Sequence, residues 1–268
     1  MELQTITIRK WSDVLKLDVA YPMDYFRGQS EADWPLTSSI LRCTHDHRGD
    51  ELDIVNTEYW MLREFKRGVS LYLKDLPDES DYIGWFSLMQ HHGAPTRLID
   101  FTRSFYVACY FAFLDAKGDC AVWSVDPFFL FGVMEKAFGI EMKGLRDEWD
   151  DSSSRCANSY LNGMLFSANI ASDAIPIQGA LAVEPFRRHA RLATQQGLFL
   201  MPLDAKLDLL ENLKSYERKE NQGVKKIILK HTMRDEAMAH LKMMNITSAS
   251  LFPGIDGFSR SLVHRQFY

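Results

Sequence analysis

Short strand-like runs and longer helical segments alternate along this chain at irregular intervals, and this irregularity restricts the fold. A parallel sheet built from βαβ units places its strands and helices at regular spacing, whereas the spacing here varies. The sequence therefore predicts a mixed α+β fold. The predicted strands are TITIRKW, MDYFRGQ, RLIDF, CAVWSVD, ALAVEPF, GLFLMPL and KKIILK.

Helices are predicted where apolar residues recur at helical spacing. The segment from about 50 to 73 predicts a long amphipathic helix, and DYIGWFSLMQHHG predicts a second one that ends at Gly93. Ser12 is expected to cap the helix of WSDVLKL, and Ser104 the buried helix of SFYVACYFAFLDA. A further helix is predicted for RDEAMAHLKMMN.

The helical pattern weakens from about 127 to 173. This segment contains the charged stretch MEKAFGIEMKGLRDEWDD and the polar stretch DSSSRCANS. We expect a helical insertion on one side of a core that is formed by residues of about 20–126 and 174–265.

Composition excludes some classes of protein. The 268 residues are 46% hydrophobic and 25% charged, which is typical of a globular protein with a sizeable core. The net charge of -5 argues against a broadly basic surface, but it neither implies nor excludes a nucleic-acid substrate. The four cysteines form no C-x-x-C pair, so no metal is expected. Without a signal peptide or an apolar run of membrane length, a cytoplasmic protein with no membrane partner is expected.

The stretch YFRGQS places an arginine, Arg27, in a predicted strand beside Phe26. A guanidinium in such a position is costly unless it is paired or binds an anion. Arg27 is therefore either half of a structural ion pair or a residue that binds a phosphate or ribose-linked group of a ligand. In the second case Gly28 permits the ligand to approach the backbone closely. The context favours the second interpretation.

The segment QHHGAPTRLIDFTRSFYVACYFA concentrates polar groups around an apolar strand and helix. Each of these polar groups also has a purely structural interpretation. Histidines in turns are commonly hydrogen-bonded, Arg97 and Asp100 can form a buried ion pair, and Ser104 can be a helix cap. The concentration itself favours a binding site, and the free N–H groups of the helix start favour an anion. The candidates here are His91, His92, Arg97, Asp100, Thr102 and Ser104.

Two glutamines, Gln195 and Gln196, precede a glycine-led strand in RLATQQGLFL. They either lie at a solvated edge or present amides to a sugar or carboxamide, since the glutamine amide both donates and accepts hydrogen bonds.

Taken together, YFRGQS, WPLTSSILR, QHHGAPTRLIDFTRS, RLATQQGLF and SLFPGIDGFSRSL resemble the FRG domain family, and the resemblance runs from about Tyr25 to Leu262. It implies a single FRG domain over 1–268. The order of these motifs is also similar to that of ADP-ribosyltransferases of the arginine-serine-glutamate kind. That similarity implies a mixed or split β-sheet core of ADP-ribosyltransferase-like type, with surrounding helices and NAD as substrate.

The resemblance assigns roles to the candidates. Arg27 would hold the NAD pyrophosphate or ribose, Thr102 and Ser104 would position the nicotinamide ribose, and Gln195 or Gln196 would hold its hydroxyls. Further cofactor-binding positions would be Gly28, Gln29, His91, His92 and Arg97, with Tyr25 or Phe105 stacked on nicotinamide.

The chain departs from the family pattern at Gln195 and Gln196, where a glutamate is expected. A carboxylate stabilises the oxocarbenium-like centre and can act as a base, which an amide cannot do. Asp100 or Glu184 is a candidate source of the missing charge. The expected function is an NAD-dependent ADP-ribosyltransferase; the alternatives are a nucleotide- or nucleic-acid-binding module without turnover and an NAD hydrolase.

Such a transferase would harm its own cell unless it were restrained. The resemblance therefore implies a bacterial toxin or phage-defence effector that modifies RNA, DNA or protein and is held by an antitoxin. The charged stretch from Glu135 to Asp150 is a candidate docking surface, with a simple solvated face as the alternative.

Overall fold

The computed structural model describes residues 3–46, 53–139, 149–168, 177–216 and 223–267. The strands are β1 (Gln4–Ile8), β2 (Tyr25–Gln29), β3 (Ile99–Thr102), β4 (Cys120–Val125), β5 (Ala180–Val183), β6 (Gly197–Pro202) and β7 (Val224–Leu229). The helices are α1 (Trp11–Ala20), α2 (Ser39–Asp46), α3 (Ile54–Val69), α4 (Tyr82–His91), α5 (Phe105–Leu114), α6 (Pro127–Phe138), α7 (Trp149–Ala168), α8 (Ala190–Thr194), α9 (Leu209–Leu213), α10 (Arg234–Met243), α11 (Ser248–Leu251) and α12 (Ile255–Phe267).

The seven described strands form one mixed sheet in the order β1-β7-β4-β2-β3-β6-β5. Strands β1 and β7 pair in parallel, and the other neighbours pair antiparallel. The mixed α+β fold predicted from the sequence is therefore confirmed. Strands β2 and β4 pair along five residues, whereas β2 and β3 pair only at Phe26 and Thr102. The sheet is weakest at this junction.

Helix α5 is apolar on all sides, so it is stable only where every side is covered. It packs on β2, and its residues join a buried cluster with α1, β1, β7 and α10. Gly28 allows the close approach, because a Cβ at this position would lie 2.0 Å from the backbone oxygen of Ala108. The β2 half of the sheet is covered by α5 on this face.

Helices α3, α4 and α7 cover the β5 and β6 end of the same face. Paired residues on neighbouring strands point to one face, and Phe199 pairs with both Asp100 and Val183. Phe199 and Val183 belong to the buried cluster of α3, α4 and α7. Asp100 of β3 lies between this cluster and that of α5, and its side chain is 63% exposed. Two helical layers therefore leave a gap over β3.

The opposite face is closed by a third buried cluster that joins residues of β2, β3, β4, β5, β6 and β7 with α6 and α9. Helix α6 packs on β5, and α7 also packs on β5. The segment that was predicted as an insertion, about 127–173, thus contributes Phe129, Leu130 and Val133 to the core in its described part. Its polar stretch DSSSRCANS is helical and lies within α7.

The two predicted helix caps have different outcomes. Ser104 is the N-cap of α5, and its side chain accepts a hydrogen bond from the backbone N–H of Val107, as the sequence predicted. Ser12 is not a cap, because α1 begins at Trp11 with Lys10 as its N-cap and no side-chain cap. Trp11 is 1% exposed, so its burial against α5 sets where the helix starts. No helix in the described ranges is both long and apolar enough to span a bilayer.

Candidate functional site

A cleft of about 780 Å³ lies over the weak junction between β2 and β3. Its volume falls within the range typical of small-molecule sites. The lining residues come from β2, β3, the segment that follows β2, α2, α5, and α8 with its C-cap: Phe26, Arg27, Gly28, Gln29, Ser30, Trp34, Pro35, Thr37, Arg42, Asp100, Phe101, Thr102, Phe111, Arg191 and Gln195.

Arg27 bridges the two strands where their pairing stops. Its Nη1 donates a hydrogen bond of 2.7 Å to the backbone oxygen of Asp100, and the same nitrogen lies 3.8 Å from the Asp100 carboxylate. Its Nε is buried and has no hydrogen-bond partner among the described residues. A buried donor without a partner is destabilising by about 1–3 kcal/mol. A ligand with an acceptor oxygen at this point would remove that cost.

The cleft carries more positive than negative charge. Arg27, Arg42 and Arg191 line it, and Asp100 is the acidic residue among its lining side chains. Arg42 donates from Nη1 to the backbone oxygen of Thr37 at 2.7 Å, and the guanidinium of Arg191 lies over the ring of Phe252 at 5.0 Å. This local charge contrasts with the net charge of -5 for the whole chain and favours an anionic ligand.

The pKa of Arg27 is lowered, mainly because burial disfavours the charged form. The carboxylate of Asp100 acts in the opposite direction and raises this pKa, whereas the nearby charge of Arg42 lowers it further. A second negative charge near Arg27 would therefore be stabilising.

Thr102 and Gln195 are connected across the floor of the cleft. The Thr102 Oγ1 donates to the backbone oxygen of Gln195 at 2.7 Å and accepts from the backbone N–H of Ser104 at 3.0 Å. The Gln195 side-chain Nε2 donates to the backbone oxygen of Leu251 at 3.0 Å. The structure therefore brings Thr102 and Gln195 together with Arg27 and Asp100 in the cleft. Hydrogen bonds to backbone atoms hold the side chains of Thr102 and Gln195 in place.

Gln196 and Ser104 do not line the cleft. Gln196 has a left-handed backbone with φ of 48°, and its backbone oxygen accepts a hydrogen bond from the N–H of Arg103. Ser104 caps α5. Both residues hold the turn that follows β3, and this turn sets the position of Thr102.

The two adjacent histidines are exposed and lie outside the lining of the cleft. The ring of His91 lies 4.9 Å from that of His92 and 4.3 Å from that of His189. His189 caps α8, and its Nδ1 accepts a hydrogen bond from the backbone N–H of Leu192. Burial, followed by the nearby His91 and Arg191, lowers the pKa of His189 to about 4. Burial, followed by His92 and Arg191, also lowers the pKa of His91.

Arg97 was expected to line the cleft, and the structure places it elsewhere. Its side chain is fully buried and forms an ion pair with Glu58 of α3 through Nε and Nη2. Its Nη1 donates to the backbone oxygen of Leu203 at 3.2 Å. The sequence-based alternative of a buried ion pair with Asp100 is also wrong, because Glu58 is the partner. Arg97 holds α3 against the sheet.

The aromatic candidates for stacking on nicotinamide belong to the core. Phe105 packs on Phe26 with ring centroids 5.1 Å apart, and it is 2% exposed. Tyr25 is 6% exposed and lies under the guanidinium of Arg103. Neither ring is open to the cleft.

Gln29 lies at the cleft wall with both ends of its amide engaged. Its Oε1 accepts from the indole of Trp123 at 2.6 Å, and its Nε2 donates to the backbone oxygen of Pro35 at 3.1 Å. Gln29 and Gly28 shape the wall without offering a free polar side chain.

Glu184, the other candidate for a catalytic carboxylate, lies away from the cleft. It is 8% exposed and forms ion pairs with Arg103 and Arg188. It lines a separate pocket between the segment that precedes α4, helix α7 and the segment after β5. Of the two carboxylates that the sequence offered, only Asp100 reaches the cleft.

A smaller cavity of about 280 Å³ adjoins the cleft. It shares Arg27, Thr37, Arg42 and Asp100 with the cleft and extends towards Cys43 and Gln90. The pair of Arg27 and Asp100 therefore lies between the cleft and the smaller cavity. In the described ranges, no group of three His, Cys, Asp or Glu side chains is arranged to hold a metal ion.

Sequence reasoning did not select Trp34, Arg42, Phe111 and Arg191, although all four line the cleft. All four lie in the quoted motifs: Trp34 and Arg42 belong to WPLTSSILR, Phe111 to QHHGAPTRLIDFTRSFYVACYFA, and Arg191 to RLATQQGLF. Single aromatic and basic residues are common on surfaces, so only the sheet order identifies them as neighbours of Arg27.

No curated protein and no solved structure shows detectable similarity to this chain. Residues 23–119 match one known family, the FRG domain. The matched range contains β2, β3, α5 and the segment with Trp34 and Arg42, whereas RLATQQGLF and SLFPGIDGFSRSL lie outside it. The part of this chain that supplies Arg27, Arg42, Asp100 and Thr102 to the cleft thus lies within the match to the FRG domain.

Proposed function

We propose that the cleft binds NAD and transfers its ADP-ribosyl group to a macromolecular acceptor, protein or nucleic acid. The observation that carries this proposal is the Arg27 and Asp100 pair, in which an incompletely satisfied guanidinium and an exposed carboxylate share one cleft. The guanidinium matches the charge of a pyrophosphate, and its planar fork suits the oxygens of a phosphate.

Asp100 supplies the charge that the transfer needs. When the bond between nicotinamide and ribose C1′ breaks, its electron pair leaves with neutral nicotinamide, and positive charge develops on the ribose. The Asp100 carboxylate, which is 63% exposed, stabilises that charge and accepts the proton that the acceptor loses as it bonds to C1′. Glu184 is held by two arginines in another pocket and does not take this role.

Gln195 replaces the missing glutamate only in part. Its side-chain Nε2 donates a hydrogen bond to the backbone oxygen of Leu251. Its Oε1 therefore remains to accept a hydrogen bond from a ribose hydroxyl. Thr102 fixes Gln195 through the backbone. The Gln195 amide positions the sugar, and the negative charge comes from Asp100 on β3.

The experiment is to incubate the purified chain with NAD labelled in the ADP-ribose part and with cell extract. Aliquots are then treated with protease or nuclease. Label in a protease-sensitive or nuclease-sensitive polymer supports transfer and names the acceptor class, whereas free ADP-ribose alone indicates hydrolysis. Arg27→Ala should abolish labelling. The matched control is Arg67→Ala, on the exposed surface of α3, which should label as the wild type does.

A binding module without turnover is the second candidate, and one observation favours it. The position where a glutamate is expected holds an amide whose Nε2 is already engaged by the backbone. This candidate predicts NAD bound by the wild type, lost in Arg27→Ala, and recovered intact after incubation with extract.

The same proposal extends to regulation, because consumption of NAD or modification of an essential macromolecule requires restraint. A toxin or phage-defence effector held by an antitoxin satisfies this requirement. Residues 140–148 of the candidate docking stretch lie outside the described residues. Co-expression with genes adjacent to that of the effector, followed by co-purification and the labelling assay, tests whether a partner binds and silences it.

A further inference from the structure

The wall of the cleft opposite α5 is a short segment, residues 30–38, that connects β2 to α2. It is held at several points. The Pro35 backbone oxygen accepts from Gln29, and the buried Leu36 accepts from the N–H of Leu209 at 3.0 Å. At the start of α2, the Ser39 hydroxyl donates to the backbone oxygen of Thr96 at 3.0 Å. The segment therefore presents its side chains from a fixed backbone, as a binding site requires.

Trp34 lies on this wall with an open ring. Its side chain is 53% exposed, and no other ring or cation of the described residues lies over its indole. Trp60, on α3, is also exposed, but its ring contacts Tyr59 and the guanidinium of Arg63. An indole held at the mouth of a charged cleft offers a face on which a base can stack.

Arg42 lies on α2, directly after this wall, and lines the same cleft as Arg27. Its guanidinium donates to the Thr37 backbone oxygen at 2.7 Å, and no carboxylate in the described ranges pairs with it. Arg27 and Arg42 line both the cleft and the smaller cavity, with Asp100 as their shared acidic neighbour. Two guanidiniums and one carboxylate leave an excess of positive charge, which suits a ligand with at least two negative charges.

We infer that Trp34 and Arg42 form a subsite for a nucleoside diphosphate, with the base on Trp34 and the phosphates between Arg42 and Arg27. This inference rests on the proposed function in assigning the ligand as the ADP half of NAD. The reacting ribose must lie near Asp100, at the β3 side of the cleft. The other half of the dinucleotide then extends along the wall of residues 30–38.

The test is isothermal titration of ADP, inorganic pyrophosphate and adenosine into the whole chain. The variants are Arg42→Ala and Trp34→Ala, with Arg67→Ala and Trp60→Ala as matched exposed controls on α3. Arg42→Ala should weaken the binding of both ADP and pyrophosphate by about tenfold or more. Trp34→Ala should weaken the binding of ADP and adenosine by about tenfold while pyrophosphate binds as in the wild type.

The inference is overturned if the wild type does not bind ADP, or if the two variants bind ADP as tightly as the two controls. NAD consumption, measured in parallel, separates this inference from the proposed function. ADP binding that depends on Trp34 and Arg42 while NAD stays intact supports the subsite and contradicts transfer. Transfer that proceeds with an unchanged KM for NAD in both variants supports the proposed function and overturns the subsite.

Discussion

The Arg27 guanidinium donates a 2.7 Å hydrogen bond to the backbone oxygen of Asp100, on the strand with which β2 pairs at only one residue. One nitrogen of the side chain thus replaces the missing backbone bonds between β2 and β3, while Nε remains unsatisfied in the buried wall of the cleft. Arg27 is both a structural link and a candidate ligand-binding group, so its variants must separate these two roles.

Arg27→Lys separates them. Lysine keeps the charge and can still donate to the Asp100 backbone oxygen, but it lacks the planar fork. We expect NAD to bind about tenfold more weakly, with a free energy of unfolding close to that of the wild type. Arg27→Ala should lower the free energy of unfolding by no more than about 0.5–1.5 kcal/mol, because it loses the hydrogen bond to Asp100 but also removes the buried Nε that lacks a partner. Titration calorimetry and urea unfolding measure the two effects; equal NAD affinity in all three proteins would contradict a ligand role.

Arg97 and Glu58 form a fully buried ion pair that connects α3 to the bend before β3. Removing one partner leaves an uncompensated buried charge, so Arg97→Met should lower the free energy of unfolding by about 3–5 kcal/mol. The double variant Arg97→Met with Glu58→Leu should recover most of this loss, because the Leu203 backbone oxygen still accepts from Tyr160.

Urea unfolding of the single and double variants measures this coupling. The exposed pair of Arg67 with Glu64 on α3 is the comparison, and Arg67→Ala should change the free energy of unfolding by less than about 1 kcal/mol. A double variant no more stable than Arg97→Met would contradict energetic coupling between Arg97 and Glu58.

Gly28 is where β2 meets α5 most closely. A Cβ added there would lie 2.0 Å from the Ala108 oxygen and 2.6 Å from the Ala112 nitrogen, both backbone atoms that cannot rotate away. Gly28→Ala should therefore lower the free energy of unfolding by about 1–3 kcal/mol. Gly163 lies within α7 with open space at its Cβ position, so Gly163→Ala should be neutral or stabilising by up to about 1 kcal/mol. Thermal unfolding of the two variants distinguishes a tight contact from a general effect of removing glycine.

The stability of the chain should depend on pH through His189. Its pKa in the folded state is about 4, below the ordinary value of 6.5, mainly because it is partly buried. Between pH 6.5 and 4 the unfolded chain binds the proton more readily, so the contribution of His189 to the free energy of unfolding falls as the pH falls through this range. In His189→Asn, where asparagine can still cap α8, that component should be absent. Urea unfolding from pH 4 to 8 measures the difference, and parallel curves for the two proteins would contradict it.

Local signals in the sequence predicted all seven described strands and the cap of α5. The cap was predictable because a serine before an apolar helical run satisfies the first N–H groups wherever the helix lies. The failure at Ser12 has a tertiary cause: with Trp11 buried, α1 begins at Trp11, two residues earlier than a Ser12 cap predicts. A two-residue shift of this kind depends on the helix against which Trp11 packs, and the local sequence of α1 does not reveal that partner.

The site was predicted in part for the same reason. Arg27, Asp100, Thr102 and Gln195 lie in short motifs, and the order of the strands brings them together. The partner of Arg97 lies 39 positions away on α3, a separation at which the sequence gives no preference for Glu58 over Asp100. Arg42 and Trp34 were missed because they line the cleft only once residues 30–38 are anchored beside β2.

Release of nicotinamide from NAD is the measurement that tests the central claim most directly. The purified chain is incubated with NAD and cell extract, and nicotinamide is quantified by chromatography for the wild type, Asp100→Asn and Glu184→Gln. The proposed function predicts release by the wild type, a loss of about a hundredfold or more in Asp100→Asn, and release in Glu184→Gln close to that of the wild type. NAD that stays intact with the wild type, or full release by Asp100→Asn, would contradict the assignment of this cleft as an ADP-ribosyl transfer site.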